Sequence, residues 1–186
     1  SSPNSIVDMG PGEVSALEAD VQIGFTGTEG QSSERATLWR GSEASRVELH
    51  PAGDSTILAV GGDATIQVGR ARTVDSVSHA MLWRGTAASA VDLHSAAYSL
   101  TRAYDGDTNT QVGTGRIGSV EHALLWRGTP GSLVDMGPGI AWAVSGDTQV
   151  GQGVSGGMTH ALLWKGTEAS KVDLHPAGFD QSYAFG

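Results

Sequence analysis

One sequence unit recurs along this chain of 186 residues, and that internal repeat constrains the fold more than any other feature. Its most recognisable block is Ala-Leu-Leu-Trp or a close variant. The block ends, at spacings of 44, 43 and 38 residues, at Trp39, Trp83, Trp126 and Trp164. Repeats of this length are typical of architectures in which each copy forms one small supersecondary unit.

Each unit holds four short segments, which we name A to D in chain order. Segment C is the tryptophan block, and segment D, just after it, is Val-Asp-Leu or a variant. After segment D comes the next segment A, as at residues 140–144. Segment B comes after segment A and is Gln-x-Gly, as at residues 111–113. All four are short and bounded by Gly, Pro, Asp or Ser, as strands are. Links such as Gly61-Gly62-Asp63 predict tight hairpin turns, and no helical apolar period persists, so we predict little or no helix.

Segments C and D differ in their apolar pattern. In the copy at 122–126, alternation places apolar side chains on both faces, so strand C should be buried on both sides. In the copy at 172–174, the two apolar residues share one face and Asp173 takes the other, which is typical of a half-exposed edge strand. These features predict an all-β fold, a β-propeller of four-stranded antiparallel blades with a repeat of about 38 to 45 residues.

The number of segments does not divide evenly into blades. The chain reads as a single repeat domain over 1–186, with extra strands in 5–18 and units at about 19–60, 61–104, 105–145 and 146–186. The ends duplicate segments D and A and lack a fifth B and C. Three arrangements are open: a fragment of a longer array, a four-bladed ring with a redundant hairpin, or several chains that combine surplus strands. Since unpaired strands invite strand addition, we expect self-association or truncation rather than a closed monomer.

Composition narrows the range of partners. The formal net charge is −9 and no cluster of Lys or Arg interrupts it, so we do not expect nucleic acid as a partner. The sequence contains no run of 18 apolar residues, so we expect no membrane insertion. We expect a signal peptide to be absent or already removed. The sequence contains no cysteine, which excludes disulfides and thiolate metal sites. We expect neither a cofactor nor a metal.

The block His-Ala-x-Leu-Trp, followed by Asp-Leu and then by Gln-Val-Gly, resembles the bacterial extracellular HAF repeat family, which is named for His-Ala-Phe. The third position holds Met81, Leu124 and Leu162, so the likeness is to the repeat pattern, and it spans nearly the whole chain. The resemblance implies a propeller-like fold and a bacterial extracellular or cell-surface location, and it transfers no activity. The near-identity of the copies fits recent amplification of one unit, or a designed or reconstructed propeller.

The histidines form two sets of equivalent residues. Those that begin segment C are His79, His122 and His160. Those that follow segment D are His50, His94 and His175. We predict that the first set forms structural hydrogen bonds between blades and that the second lies at the exposed edge.

Two motifs that could carry chemistry are better explained by structure. Asp105-Gly106-Asp107 begins like a calcium loop but lacks the downstream ligands, so we interpret it as a turn. No Gly-x-Ser-x-Gly follows a strand and opens a helix, and we predict that the chain is not an enzyme.

Aromatic residues that break the repeat are the candidate ligand contacts. Trp142 stands in segment A, where other copies have smaller residues, and with Tyr104 and Tyr183 it could stack on a sugar or a peptide. Core filling is the stronger interpretation of Trp142. Tyr98 and Phe179 also break the repeat. The predicted repeat core comprises the four recurring tryptophans and the glycines of Gln-x-Gly: Trp39, Trp83, Trp126, Trp164, Gly24, Gly69, Gly113 and Gly151.

We therefore expect a non-catalytic repeat scaffold or binding module that self-assembles or presents a ligand-binding surface. A lectin-like propeller with repeated carbohydrate sites between blades is the alternative, and a hydrolase is a weaker one. The expected partners are further copies of the chain and a glycan or protein ligand.

Overall fold

The computed structural model describes residues 8–18, 20–27, 34–50 and 56–186. The described residues form four four-stranded antiparallel sheets, which confirms the predicted all-β fold. Helix in this part of the chain is limited to four single-turn 3₁₀ helices, Glu43–Ser45, Ala87–Ser89, Pro130–Ser132 and Glu168–Ser170.

Each sheet contains four strands that are consecutive in the chain. Sheet 1 comprises β1 (Gly12–Glu18), β2 (Val21–Thr26), β3 (Arg35–Trp39) and β4 (Val47–Glu48). Sheet 2 comprises β5 (Thr56–Gly62), β6 (Gln67–Arg72), β7 (Ser78–Trp83) and β8 (Val91–Asp92). Sheet 3 comprises β9 (Thr101–Gly106), β10 (Gln111–Ile117), β11 (Val120–Trp126) and β12 (Val134–Pro138). Sheet 4 comprises β13 (Ile140–Ser145), β14 (Thr148–Ser155), β15 (Met158–Trp164) and β16 (Val172–Asp173).

One copy of segments A, B, C and D builds each sheet, in that spatial order. Residues 12–18, within the predicted extra strands, form the A strand of sheet 1. Residues 8–11 form no strand, and residues 5–7 of the same prediction lie outside the described residues. The C-terminal copy of segment A, residues 182–185, also forms no strand.

The hydrophobic core is divided into three clusters, each lying between two sheets that are consecutive in the chain. In every cluster the tryptophan of the later sheet packs against apolar residues of the earlier one. Trp83 joins Ile23 of sheet 1, for example, and Trp164 joins Leu125 of sheet 3. Extensive packing likewise joins only consecutive sheets within the described part of the chain. The array is therefore held together by nearest-neighbour contacts.

The C strands are buried on both faces, as their sequence pattern predicts. Ala123, Leu124, Leu125 and Trp126 are all at most 1% exposed. The D strands form one edge of each sheet, and Glu48, Asp92 and Asp173 are exposed there. The predicted half-exposed edge strand is confirmed in sheets 1 to 3, where Leu49, Leu93 and Met136 are buried, whereas in sheet 4 the residues from which it was predicted, 172–174, are exposed on both faces.

Each A strand carries one extra residue relative to its B partner, a β-bulge that the sequence pattern did not predict. The register shifts place these residues at Ser15, Val60, Tyr104 and Trp142. The glycine of Gln-x-Gly faces the bulge, and a β-carbon at Gly113 would overlap the carbonyl oxygen of Arg102. A side chain is therefore excluded at this position by the backbone of the neighbouring strand.

Candidate functional site

An aromatic run, which we define as Tyr104, Trp142, Phe185 and Tyr183, lies along the A strands near the C-terminal end of the array. The ring centroids of Tyr104 and Trp142 are 4.5 Å apart and the rings are tilted by 37°. The Trp142 and Phe185 centroids are 6.2 Å apart, and those of Phe185 and Tyr183 are 6.1 Å apart. The three ligand contacts predicted from the sequence, Trp142, Tyr104 and Tyr183, thus belong to one continuous surface.

The β-bulge explains why these side chains meet. Tyr104 and Trp142 are the bulged residues of β9 and β13, so they hold equivalent positions in adjacent sheets. Ser182 accepts a hydrogen bond from the Ala161 N–H at 2.9 Å, as Thr101 does from the Ala80 N–H, so these two residues are equivalent. Phe185 of the C-terminal tail, which we define as residues 182–186, is therefore the equivalent of Tyr104. The run therefore places one aromatic residue of the same repeat position on each of three successive A segments.

Phe185 contributes to the run although it was not among the predicted ligand contacts. The signal was present in the spacing, because Phe185 follows Ser182 by the same three residues that separate Tyr104 from Thr101. Gln152 was missed as well, and its Oε1 accepts a hydrogen bond from the Trp142 indole N–H at 3.2 Å. That bond fixes the orientation of the indole.

The run combines apolar faces with solvent access. Trp142 and Tyr104 are half-buried, while Tyr183 and Phe185 are 48% and 67% exposed. Arg70 interacts electrostatically with Tyr104, and burial together with the charge of Arg102 lowers the pKa of the Arg70 guanidinium. Exposed aromatic faces beside an amide and cationic groups can stack on a planar or sugar-like ligand and hydrogen-bond to its edge.

A second candidate surface is the open face of sheet 4, which we define as the side that carries Val172 and Leu174. Leu174 is 45% exposed, whereas its equivalents in sheets 1 to 3 are fully buried, and these are Leu49, Leu93 and Met136. Val172 is 48% exposed, and Val47, Val91 and Val134 are all half-buried against a core cluster. In sheets 1 to 3 these positions lie beneath the next sheet, which sheet 4 lacks among the described residues.

Two stacked histidines form a joint at the boundary between sheets 2 and 3. His79 Nδ1 lies 2.7 Å from Asp92 Oδ2 of the same sheet, and its ring stacks on His94 at 3.9 Å. His94 Nδ1 lies 3.0 Å from Thr101 Oγ1 of sheet 3. The predicted roles are therefore wrong in part: the segment C histidine bonds within its own sheet, and the histidine after segment D makes the bond between sheets.

The same joint recurs at the C-terminal end of sheet 4. His160 pairs with Asp173 at 2.7 Å and stacks on His175 at 3.9 Å, and His175 lies 2.8 Å from Ser182 Oγ. The hydrogen bond from His160 lowers the pKa of Asp173. His175 Nε2 also donates to the carbonyl oxygen of Phe179 at 2.9 Å, so the imidazole is fully engaged in holding the tail.

The boundary between sheets 3 and 4 is built differently, because Gly137 stands where His94 and His175 stand elsewhere. His122 still pairs with Asp135, at 2.8 Å, but Tyr98 donates its O–H to the same carboxylate at 3.0 Å. Burial and that hydrogen bond raise the pKa of Tyr98. Tyr98 thus breaks the repeat as a structural replacement for the second imidazole.

The predicted repeat-core residues lie inside the sheets. The four recurring tryptophans are at most 1% exposed. A β-carbon at Gly24, Gly69 or Gly151 would overlap an A-strand carbonyl, as at Gly113. Asp105 and Asp107 sit at the A-to-B turn of sheet 3, where they accept backbone hydrogen bonds from Val144 and Gly146 of sheet 4.

Within the described ranges, no three His, Asp or Glu side chains are grouped so that they could hold a metal ion. The helices of this part of the chain are all too short to cross a membrane. The chain matches no protein-family model, and no curated protein shows significant similarity to it.

Proposed function

We propose that this chain is a non-catalytic repeat scaffold, with its sheets arranged as propeller-like blades, that joins to a second copy of itself through the open face of sheet 4. The observation that carries the proposal is the 45% exposure of Leu174, at a position that is fully buried in the other three sheets. An apolar face shaped to receive the next sheet of a repeat is best covered by another sheet of the same repeat.

Sheet 1 supplies a matching surface. Val14 is 45% exposed, whereas its equivalents Ala59, Ala103 and Ala141 are at most 1% exposed because an earlier sheet covers them. Sheet 4 of one copy and sheet 1 of another therefore offer the two halves of the contact that joins consecutive sheets within the chain. Such a head-to-tail contact builds a ring if the rotation closes and a filament if it does not.

The C-terminal tail competes with this contact. Ser182 already occupies the place that Thr101 takes in sheet 3, with the same hydrogen bond to a C-strand N–H. A second copy must displace residues 182–186 to dock its own A strand. Weakening the tail should therefore strengthen association.

Light scattering across a range of protein concentrations tests the proposal. We expect the wild-type mass to rise with concentration, Leu174→Lys to remain a monomer, and Ser182→Ala to associate at lower concentration. Val154→Arg is the matched control, because Val154 is 74% exposed and its equivalents are Arg72 and Arg116. A wild type that stays monomeric, or a Leu174→Lys variant that associates like wild type, would contradict self-association.

Carbohydrate binding is the second candidate function, and the 4.5 Å contact between Tyr104 and Trp142 favours it. Aromatic faces exposed on one side, with a neighbouring amide, are typical of sugar-binding surfaces. We expect Trp142→Ala to abolish binding on a glycan array, and Val60→Ala, at the equivalent bulge of sheet 2, to leave it unchanged. An array on which wild type and Trp142→Ala give the same signals would argue against this function.

The bacterial extracellular location is likewise a proposal, and it is supported by the resemblance to HAF repeats alone. Surface labelling of cells that express the native gene tests it. Labelling restricted to lysed cells would contradict it.

A further inference from the structure

A cleft of about 220 Å³ opens between sheets 3 and 4, at the end of the sheets where the A-to-B turns lie. Arg127 lines it from sheet 3, and Asp147, Gln149 and Lys165 line it from sheet 4. The cleft is distinct from both the aromatic run and the open face of sheet 4. It lies at the boundary where Gly137 replaces the histidine found at positions 94 and 175.

A shorter turn accounts for the cleft. In sheet 3 the turn after β9 is closed by a hydrogen bond from Asp107 N–H to the Thr110 carbonyl, and Asp107 Oδ1 accepts from Asn109 and Thr110 N–H. In sheet 4 only Gly146 and Asp147 separate the paired residues Ser145 and Thr148. The Asp147 carboxylate instead faces Lys165, with Oδ2 at 3.3 Å from Nζ.

The shortened turn leaves one buried amide without its usual partner. The side-chain Nε2 of Gln22, Gln67 and Gln111 donates to the carbonyl oxygen of Asp20, Asp63 and Asp107 respectively, at 3.2 to 3.3 Å. Gln149 holds the equivalent position and is 1% exposed, and its Oε1 accepts from Gly166 N–H at 2.7 Å. Its Nε2 makes no hydrogen bond to any residue that the structure describes. The cleft is thus lined by a nine-tenths buried donor that lacks an acceptor.

Cationic groups stand on both sides of this donor. The Arg127 guanidinium extends from sheet 3 over Gly166. Its Nη2 lies 3.6 Å from the position that a β-carbon on Gly166 would occupy. It forms no ion pair within the described part of the chain. Lys165 adds a second cation from sheet 4, and its hydrogen bond lowers the pKa of Asp147, whose carboxylate is therefore ionised.

We propose that this cleft binds a small oxyanion, the carboxylate or phosphate group of a soluble ligand. The Arg127 fork supplies paired donors to the anion, Gln149 Nε2 supplies a buried one, and Lys165 supplies the second positive charge. Asp147 opposes binding, and its pairing with Lys165 offsets part of that repulsion. Asp107, at the rim, is engaged by the Gly146 N–H at 3.2 Å.

Titration of the full chain with inorganic phosphate, and separately with acetate, followed by NMR of side-chain amides, tests the proposal. We expect a saturable shift of the Gln149 amide, a roughly tenfold or larger loss of affinity in Arg127→Gln, and tighter binding in Asp147→Asn. Saturation by both probes indicates a general oxyanion site, and saturation by one alone identifies carboxylate or phosphate as its ligand.

Arg84→Gln is the matched control. Arg84 holds the position of Arg127 at the boundary of sheets 2 and 3, where Gln111 Nε2 is already bonded to Asp107. The control should bind like wild type. Equal losses in Arg84→Gln and Arg127→Gln, or shifts that never saturate, would show an adventitious ion only and would overturn the proposal.

Discussion

His94 links sheets 2 and 3 through its Nδ1, which lies 3.0 Å from Thr101 Oγ1. Thr101 Oγ1 also accepts the Ala80 N–H of sheet 2 at 2.9 Å. Burial, followed by repulsion from His79, lowers the pKa of His94 below its ordinary value, against the opposing attraction of Asp92. The folded state therefore disfavours the imidazolium.

This lowered pKa predicts a pH dependence of stability. Because the unfolded chain takes up the His94 proton at a higher pH than the folded chain does, the free energy of unfolding should fall as the pH drops below about 6.5. His94→Gln should flatten that part of the curve while leaving the slope at more alkaline pH unchanged. Urea unfolding at a series of pH values measures both slopes. Identical curves for the two proteins would remove His94 as the cause.

The close approach of the neighbouring strand to Gly113 gives a second prediction about a single residue. Since a β-carbon there would overlap the Arg102 carbonyl, Gly113→Ala should reduce the free energy of unfolding by about 1–3 kcal/mol. Gly131→Ala is the control: nothing lies within 4 Å of its β-carbon position, and the other repeats have Ala44, Ala88 and Ala169 there. It should be neutral or stabilising by up to about 1 kcal/mol. Equal stabilities of the two variants in chemical denaturation would contradict this account.

At the level of elements, sequence periodicity predicted the strands well but could not predict the bulges. Alternation in segment C showed that residues 123–126 would be buried on both faces, because each face carries apolar side chains. A bulge changes how a strand pairs but requires no change in its amino-acid composition. Nothing in the sequence of segment A therefore identifies Tyr104 as the residue without a partner in the neighbouring strand. The aromatic run depends on those bulges, and its geometry therefore could not be derived from the pattern alone.

The tryptophan-bearing strands differ in one hydrogen bond. Trp164 Nε1 donates to the Met136 carbonyl at 3.0 Å, whereas Trp126 Nε1 is buried without a partner among the described residues. Trp164→Phe should therefore cost about 1 kcal/mol more than Trp126→Phe, which removes a similar volume but no bond. Thermal or urea unfolding of the two variants compares them directly. A larger loss for Trp126→Phe would show that packing outweighs the bond.

At the scale of the whole molecule, sheets 2 and 3 are each covered by a neighbouring sheet on both sides, whereas sheet 4, in the described part of the chain, is covered on one side only. This difference predicts that sheet 4 is less stable than sheets 2 and 3. Val68 and Val112 are fully buried, but the equivalent Val150 is half-buried. Amide hydrogen exchange at Val150 should be about tenfold faster or more than at Val112, since an end sheet can open alone. Uniform protection across all four sheets would instead indicate a single cooperative unit, as in a closed ring.

The repeat predicted the order of strands within each sheet, because each segment carries its own pattern, but the surplus segments at residues 8–9 and 182–185 form no strand. It could not predict whether the series of sheets closes into a ring, because closure depends on the rotation from one sheet to the next, which no segment encodes. The same limit applies to the cleft between sheets 3 and 4. Its cause, a turn shortened between Ser145 and Thr148, is visible in the sequence, but the loss of the Gln149 partner follows only from three-dimensional contacts.

Thr101 and Ser182 each open an A segment and accept a hydrogen bond from a C-strand N–H of the preceding sheet, and at Ser182 this bond exists although no further sheet follows within the chain. At these two positions the preceding sheet holds the first residue of an A segment, and the Ser182 contact shows that this does not require a complete sheet to follow. Synthesis from the ribosome could then add sheets one at a time in fixed register.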